Sequence, residues 1–173
     1  MDTTHLRQGL SHCSTRSPSQ LNHLLHNLAR VGEIPSNGRG RPAAEIGPRH
    51  CIAALVTLAV AGTVEEAAAR VPDWLRMVDC PSGSITLGDF LAAACGASRN
   101  RVRQVEVTRE WPHARVELDH GDGLEFGYAS AEAARAAGYR AASVHSVLKI
   151  PGAAIDILLT EEREVDGGWS ARP

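Results

Sequence analysis

The residues best suited to chemistry in this chain lie between Gln20 and Pro42, in the stretch QLNHLLHNLARVGEIPSNGRGRP. Leu21, Leu24, Leu25 and Leu28 recur at helical spacing. On a wheel turning about 100° per residue they fall within roughly 100° of one another. Gln20, Asn22, His23, His26, Asn27 and Arg30 are expected to fill the opposite arc. Each can hydrogen-bond to a base edge or a phosphate: Arg pairs with guanine, Asn and Gln with adenine. An acid would repel a phosphate backbone, and none precedes Glu33 in this stretch. Just beyond, Arg39 and Arg41 flank Gly40. Arginines spaced by glycine can sit close to a phosphate backbone or enter a minor groove. With Arg49, they are the expected phosphate contacts.

Other chemistries find less support. His23 and His26 are three apart on one helix, and His12-Cys13 and His50-Cys51 are adjacent pairs. The cysteines Cys13, Cys51, Cys80 and Cys95 contain no C-x-x-C pair, and no spacing matches a structural zinc motif. No metal and no cofactor is expected. The chain has no G-x-S-x-G, no P-loop and no H-E-x-x-H. His120-Gly121-Asp122-Gly123 lies between two alternating segments and reads as a hairpin turn, so no catalytic residue is expected and the chain reads as a non-enzyme. Trp74, Trp111 and Trp169 are not spaced like a stacking platform for single strands.

The elements that would position the polar arc can be read along the chain. MDTTHLRQGL makes a short helix with Thr3 or Thr4 as the expected N-cap. Ser17-Pro18 opens the next, with Ser17 capping and Pro18 at the first helical position, and Gly32 ends it. The following segment, with Pro35, Pro42 and Pro48, reads as a loop with its turn at Asn37-Gly38. Three further helices are expected: one over 48–61, one opened by the Thr63-x-x-Glu66 capping box and broken or kinked at Pro72, and one behind Thr86-x-x-Asp89. From about Asn100 the period changes to two. VRQVEVTREW, ARVEL, LEFGY and ASVHSVLKIP are candidate strands, with a short helix after Ser130 and another over GAAIDILLTEE.

Charge divides along the same line. Residues 1–50 carry six Arg against three acids and five of the eight His, whereas residues 51–173 carry 12 basic and 17 acidic residues. A basic amino half fits a nucleic-acid partner. The amino terminus has no apolar signal core, and the longest apolar run, CIAALVTLAVAG, is about twelve residues, too short for a bilayer. The expectation is a cytoplasmic protein with reduced thiols and no membrane contact.

A short helix, a turn and an amphipathic helix make a helix-turn-helix. Gly-Glu-Ile-Pro at 32–35 leading into an arginine-bearing loop resembles the recognition helix and wing of MerR-type winged helix-turn-helix proteins. Over roughly residues 3–61, with GRGRPAAEIGPRHCIAALVTLA, the chain is similar to small prophage-associated regulators of GC-rich bacteria. It lacks the Arg-Tyr-Tyr run and the long terminal coiled-coil helix of MerR sensors. The resemblance implies a DNA-binding transcriptional regulator. The fold class expected is α+β: a helical winged helix-turn-helix region over 1–98, then a small module over 99–173 with a three- to four-stranded antiparallel sheet. That second module is expected to serve oligomerisation, most simply a homodimer on two half-sites, or to bind a phage component or RNA polymerase. Two alternatives stay open: a small terminase-type DNA-packaging subunit, and a protein-interaction module without DNA affinity.

Overall fold

The computed structural model describes residues 2–36, 45–60, 62–80, 82–94, 101–139, 146–156 and 158. The elements are α1 (Thr3–Cys13), α2 (Pro18–Val31), α3 (Pro48–Ala59), α4 (Val64–Leu75), β1 (Asp79–Cys80), α5 (Leu87–Ala94), β2 (Val102–Thr108), β3 (His113–Leu118), β4 (Gly123–Gly127), α6 (Ala131–Ala136) and β5 (Val147–Pro151). Residues 152–156 are again helical. The class is α+β, with antiparallel pairing throughout one sheet.

Local chemistry places the helix ends. Ser17 and Gln20 form a reciprocal capping box: Ser17 N–H donates to Gln20 Oε1 at 2.9 Å, and Gln20 N–H donates to Ser17 Oγ at 3.3 Å. Gly32 stops α2 in the left-handed region at φ +84°, a conformation that costs a side-chain-bearing residue energy. Thr63 and Glu66 repeat the capping box on α4. The first helix departs from expectation. Asp2, not Thr3 or Thr4, is its N-cap, accepting from the N–H groups of Thr4 and His5 at 2.8 and 3.0 Å. Pro72 does not end α4, which continues to Leu75. The burial of Trp74 and Leu75 in the last turn offsets the backbone bond that proline removes.

The sheet has five strands in the order β1-β4-β3-β2-β5. This exceeds the three to four expected. The extra strand, Asp79–Cys80, has two residues and no alternation to betray it, and it comes from a stretch whose neighbours are helical. β1 pairs with β4 through Asp79↔Phe126 and Cys80↔Glu125. Asp79 also organises the turn that follows, accepting from Ser84 N and Ile85 N at 2.8 and 2.9 Å and from the Ser82 hydroxyl. These bonds, the Ser82 hydroxyl first, hold the Asp79 carboxyl below its ordinary range.

One face of the sheet is apolar and covered. Val105, Val107, Ala114, Val116, Phe126 and Ile150 are buried on it. The helices supply the facing layer: Phe90 of α5 lies with its ring centroid 5.7 Å from that of Phe126, and Trp74 of α4 donates from Nε1 to Thr108 O at 2.9 Å. A single apolar cluster runs from Leu6 in α1 through α2–α5 and the sheet to Leu158, so the helical and stranded halves share one core. The other face carries a cross-strand row of alternating charge. Lys149 stands opposite Glu106, Glu106 opposite Arg115, and Arg115 opposite Glu125. Opposite charges in register suit a solvated face.

Because Trp74 bonds the sheet from within the core, Trp74→Phe removes one buried hydrogen bond and part of a large side chain. We expect a loss of about 1–2 kcal/mol in denaturant unfolding, with helical and sheet signals still melting together.

Candidate nucleic-acid interface

The buried side of α2 is the leucine stripe. Leu21, Leu24, Leu25 and Leu28 are 7% exposed or less, packed among α1, α3 and α4. At about 1.5–3 kcal/mol for each fully buried leucine, this stripe dictates which side of α2 faces out. Gln20, Asn22, His23, His26 and Arg30 are exposed, and no acidic residue lies on the helix.

The exposed residues are not equally free to meet a partner. The Gln20 side-chain oxygen is engaged by the N-cap backbone. Asn22 Oδ1 accepts from Arg7 Nη1 of α1 at 3.2 Å, which brings a further arginine beside this face. Arg30 Nη2 lies 2.6 Å from Glu65 Oε1 of α4. Both of those side chains are more than half exposed, so the pair is screened and contributes little to stability.

Asn27 is the residue the helical wheel misplaces. It is 3% exposed and belongs to the interior. Its Nδ2 donates to His23 O at 2.9 Å and lies 3.2 Å from His23 Nε2. It follows Leu24 by three residues, so it sits only about 60° round from the leucine stripe. The helices packed about α2 close over that flank. Asn27 therefore satisfies a local polar pairing within the fold, and its side chain is not displayed to a base edge.

Arg49 lies apart from the α2 face. It is in the first turn of α3, where its charge opposes the helix dipole. Asp89 of α5 offsets this, with its Oδ1 3.3 Å from Arg49 Nη1. The next residue, His50, accepts the Gly47 N–H at Nδ1 (2.9 Å) and so caps the same helix end. Burial first, and then the Arg49 charge, push the His50 pKa down, with Glu33 opposing. Arg39 and Arg41, with the turn at Asn37-Gly38, fall outside the described residues.

Sequence reasoning missed Arg7 and Glu65. Arg7 adjoins the buried Leu6 on α1, and nothing in the linear pattern ties it to Asn22 fifteen residues away. Glu65 is read from sequence as a first-turn helix acid, and its link to Arg30 arises from the packing of α4 on α2. Among the described residues no three His, Cys, Asp or Glu side chains converge as metal ligands, and no helix is long and apolar enough to cross a membrane. Cys13, Cys51 and Cys80 form no disulfide.

Comparison with protein-family models, with curated proteins and with solved structures finds no match for this chain.

Two outcomes follow from this geometry. Asn27→Ala is expected to lower stability by about 1–2 kcal/mol through its lost buried bonds, measured by denaturant unfolding. His50 has a depressed folded pKa, so its cap contributes fully above its unfolded value near 6.5 and is lost as pH falls through the lower folded value. The stability of the protein should therefore fall across that acid range, and His50→Gln, which cannot be protonated there, should show a shallower fall in parallel melts.

Proposed function

We propose that the chain is a duplex DNA-binding transcriptional regulator of bacterial or prophage origin, acting in the cytoplasm as a homodimer. The observation that carries this reading is the exposed side of α2. It offers Asn22, His23, His26 and Arg30, with Gln20 at its start, and no carboxylate from the helix itself. A helix about 10–12 Å across fits the major groove, and these residue types meet base edges and phosphates there. Arg7, drawn alongside by Asn22, extends the basic edge. In this reading α1 and α2 are the helix-turn-helix, while Arg39 and Arg41 form the wing that grips the backbone. Arg49 is the outlying phosphate contact. The charge-balanced outer face of the sheet turns away from DNA.

Arg30 and Asn22 play different parts. Arg30 exchanges Glu65 for a phosphate, a contact indifferent to sequence. Asn22 reads a base edge, at about 1–3 kcal/mol of discrimination. Dimerisation supplies the second half-site, which the short helix alone needs for affinity.

Electrophoretic mobility shift across a salt series, on fragments of the source genome and on random duplex, tests the proposal. We expect retardation at low salt and a log–log salt slope of several units. Arg30→Ala should weaken binding to every sequence and reduce that slope by about one. Asn22→Ala should narrow the gap between specific and random duplex. Absence of retardation at low salt on all fragments refutes the reading. Light scattering distinguishes a dimer from the high-order ring of a DNA-packaging subunit.

A further inference from the structure

The two edges of the sheet are built differently. β1 closes one edge with a strand of two residues, too short to template a neighbour. β5 forms the other edge with five residues and pairs with β2 alone. Arg109 N–H donates to Ser146 O, and the register continues through Leu148↔Val107 and Ile150↔Val105. Bonded pairs alternate in an antiparallel ladder, so Ser146, Leu148 and Ile150 direct their main-chain groups at β2. Those of Val147 and Lys149 point outward and bond to nothing among the described residues.

The side chains of this edge are as open as its main chain. Val147 and Leu148 are 43% and 37% exposed and, with Val78, are the exposed large apolar residues among those described. As neighbours on a strand they lie on opposite faces of the sheet. Leu148 lines an open depression together with Leu58 of α3. Edge strands that stay single are blunted by unpaired charge, by a bulge or by proline. The one charge on β5, Lys149, lies 2.8 Å from Glu106 Oε1 of its own sheet. Pro151 guards only the last position of the strand.

We propose that a second copy of the chain docks on this edge, β5 against β5, antiparallel about a two-fold axis through Leu148. The inference rests on the homodimer reading above and names its interface. In this register Val147 and Lys149 exchange main-chain N–H···O=C bonds with Lys149 and Val147 of the second copy, so their outward N–H groups are all met. Leu148 meets its own copy across the axis. Lys149 stands opposite Val147 of the second copy, its alkyl stem covers that valine, and the like charges stay apart. Moving the axis to Lys149 sets two ammonium groups face to face and puts Pro151, which has no N–H, opposite Val147. Charge and proline thus select one self-complementary register. A foreign strand would have to bring an acid to continue the Glu125–Arg115–Glu106–Lys149 row, whereas a second copy needs none, because Glu106 already offsets Lys149. The pairing uses both β5 edges, so the assembly closes at a dimer. Its axis stands perpendicular to the sheet and brings both α2 helices to one side, as two half-sites on one duplex require.

Sedimentation equilibrium of the full chain without DNA, from micromolar to millimolar concentration, reads the association, and amide hydrogen exchange reads its place. A reversible dimer is expected. The Val147 and Lys149 amides should gain protection as concentration rises, while the Leu148 amide, which faces β2, stays protected throughout. Val147→Lys sets a lysine against Lys149 of the second copy and should weaken dimerisation about tenfold. Val147→Glu loses the same apolar contact but brings the opposite charge, and should dimerise several-fold more tightly than Val147→Lys. Leu148→Asp places two carboxylates across the axis and should weaken dimerisation by at least about tenfold. Val78→Lys, beside the far edge, should leave it unchanged. Circular dichroism and melting confirm that each variant folds, and the exchange measurement needs no variant. The proposal is overturned by a monomer at every concentration, by a dimer whose Val147 and Lys149 amides gain no protection, or by equal effects of Val147→Lys and Val147→Glu. A dimer formed through another surface overturns this interface and leaves the homodimer reading standing. Failure of an intact dimer to retard DNA strikes the DNA reading alone.

Discussion

Trp74 sits fully buried between the helical layer and the sheet, and most of the architecture rests on how it is held. Its indole N–H bonds the Thr108 carbonyl at the end of β2, and the Arg70 guanidinium lies over its ring, 5.0 Å from the centroid. Arg70 itself donates to Glu110 O at 2.8 Å, just past the same strand. Arg109 completes the junction by donating to Ala59 O at the end of α3. Three polar bonds inside an apolar contact thus join α3 and α4 to one end of β2. The Trp74 bond is buried and must form well or leave its indole N–H unmet, which makes the helix–sheet orientation specific. Since α2 packs on α3 and α4, the direction its exposed side faces is set by contacts made with strands far along the chain.

Charge is distributed in keeping with that frame. On the sheet's outer face acids and bases alternate from strand to strand, so their fields largely cancel within a Debye length of about 8–10 Å. On α2 the helix carries no acid, and compensation comes from outside, through Glu65 on α4. The first arrangement is closed on itself. The second holds its arginine in a weak, exposed pairing. This contrast, more than the net charge of −2, supports the proposal that α2 meets a polyanion.

Much of the fold was legible in sequence because its signals are local. Ser17-Pro18 and Gly32 bound α2, the Thr63-x-x-Glu66 box opens α4, and Ser130 caps α6, since a cap needs only neighbours three residues away. Strands β2, β3 and β4 announce themselves by alternation. What stayed hidden is non-local. β1 is too short to show a period and exists because β4 offers it an edge. Pro72 reads as a breaker, yet packing of the turn beyond it carries α4 onward.

For the candidate interface, the sequence by itself determined composition: a leucine stripe, an acid-free polar arc, and arginines near both. Periodicity assigns a residue to an arc but does not say how wide a stripe the neighbouring helices will cover. Tertiary structure decided that width, and so removed Asn27 to the interior while leaving Asn22, His23, His26 and Arg30 outside. It also decided partners, bringing Arg7 to Asn22 and Glu65 to Arg30 across separations no local pattern encodes. The physical reason is the same in each case. Burial and pairing are properties of surfaces in contact, and a chain read one residue after another contains the surfaces but not their contacts.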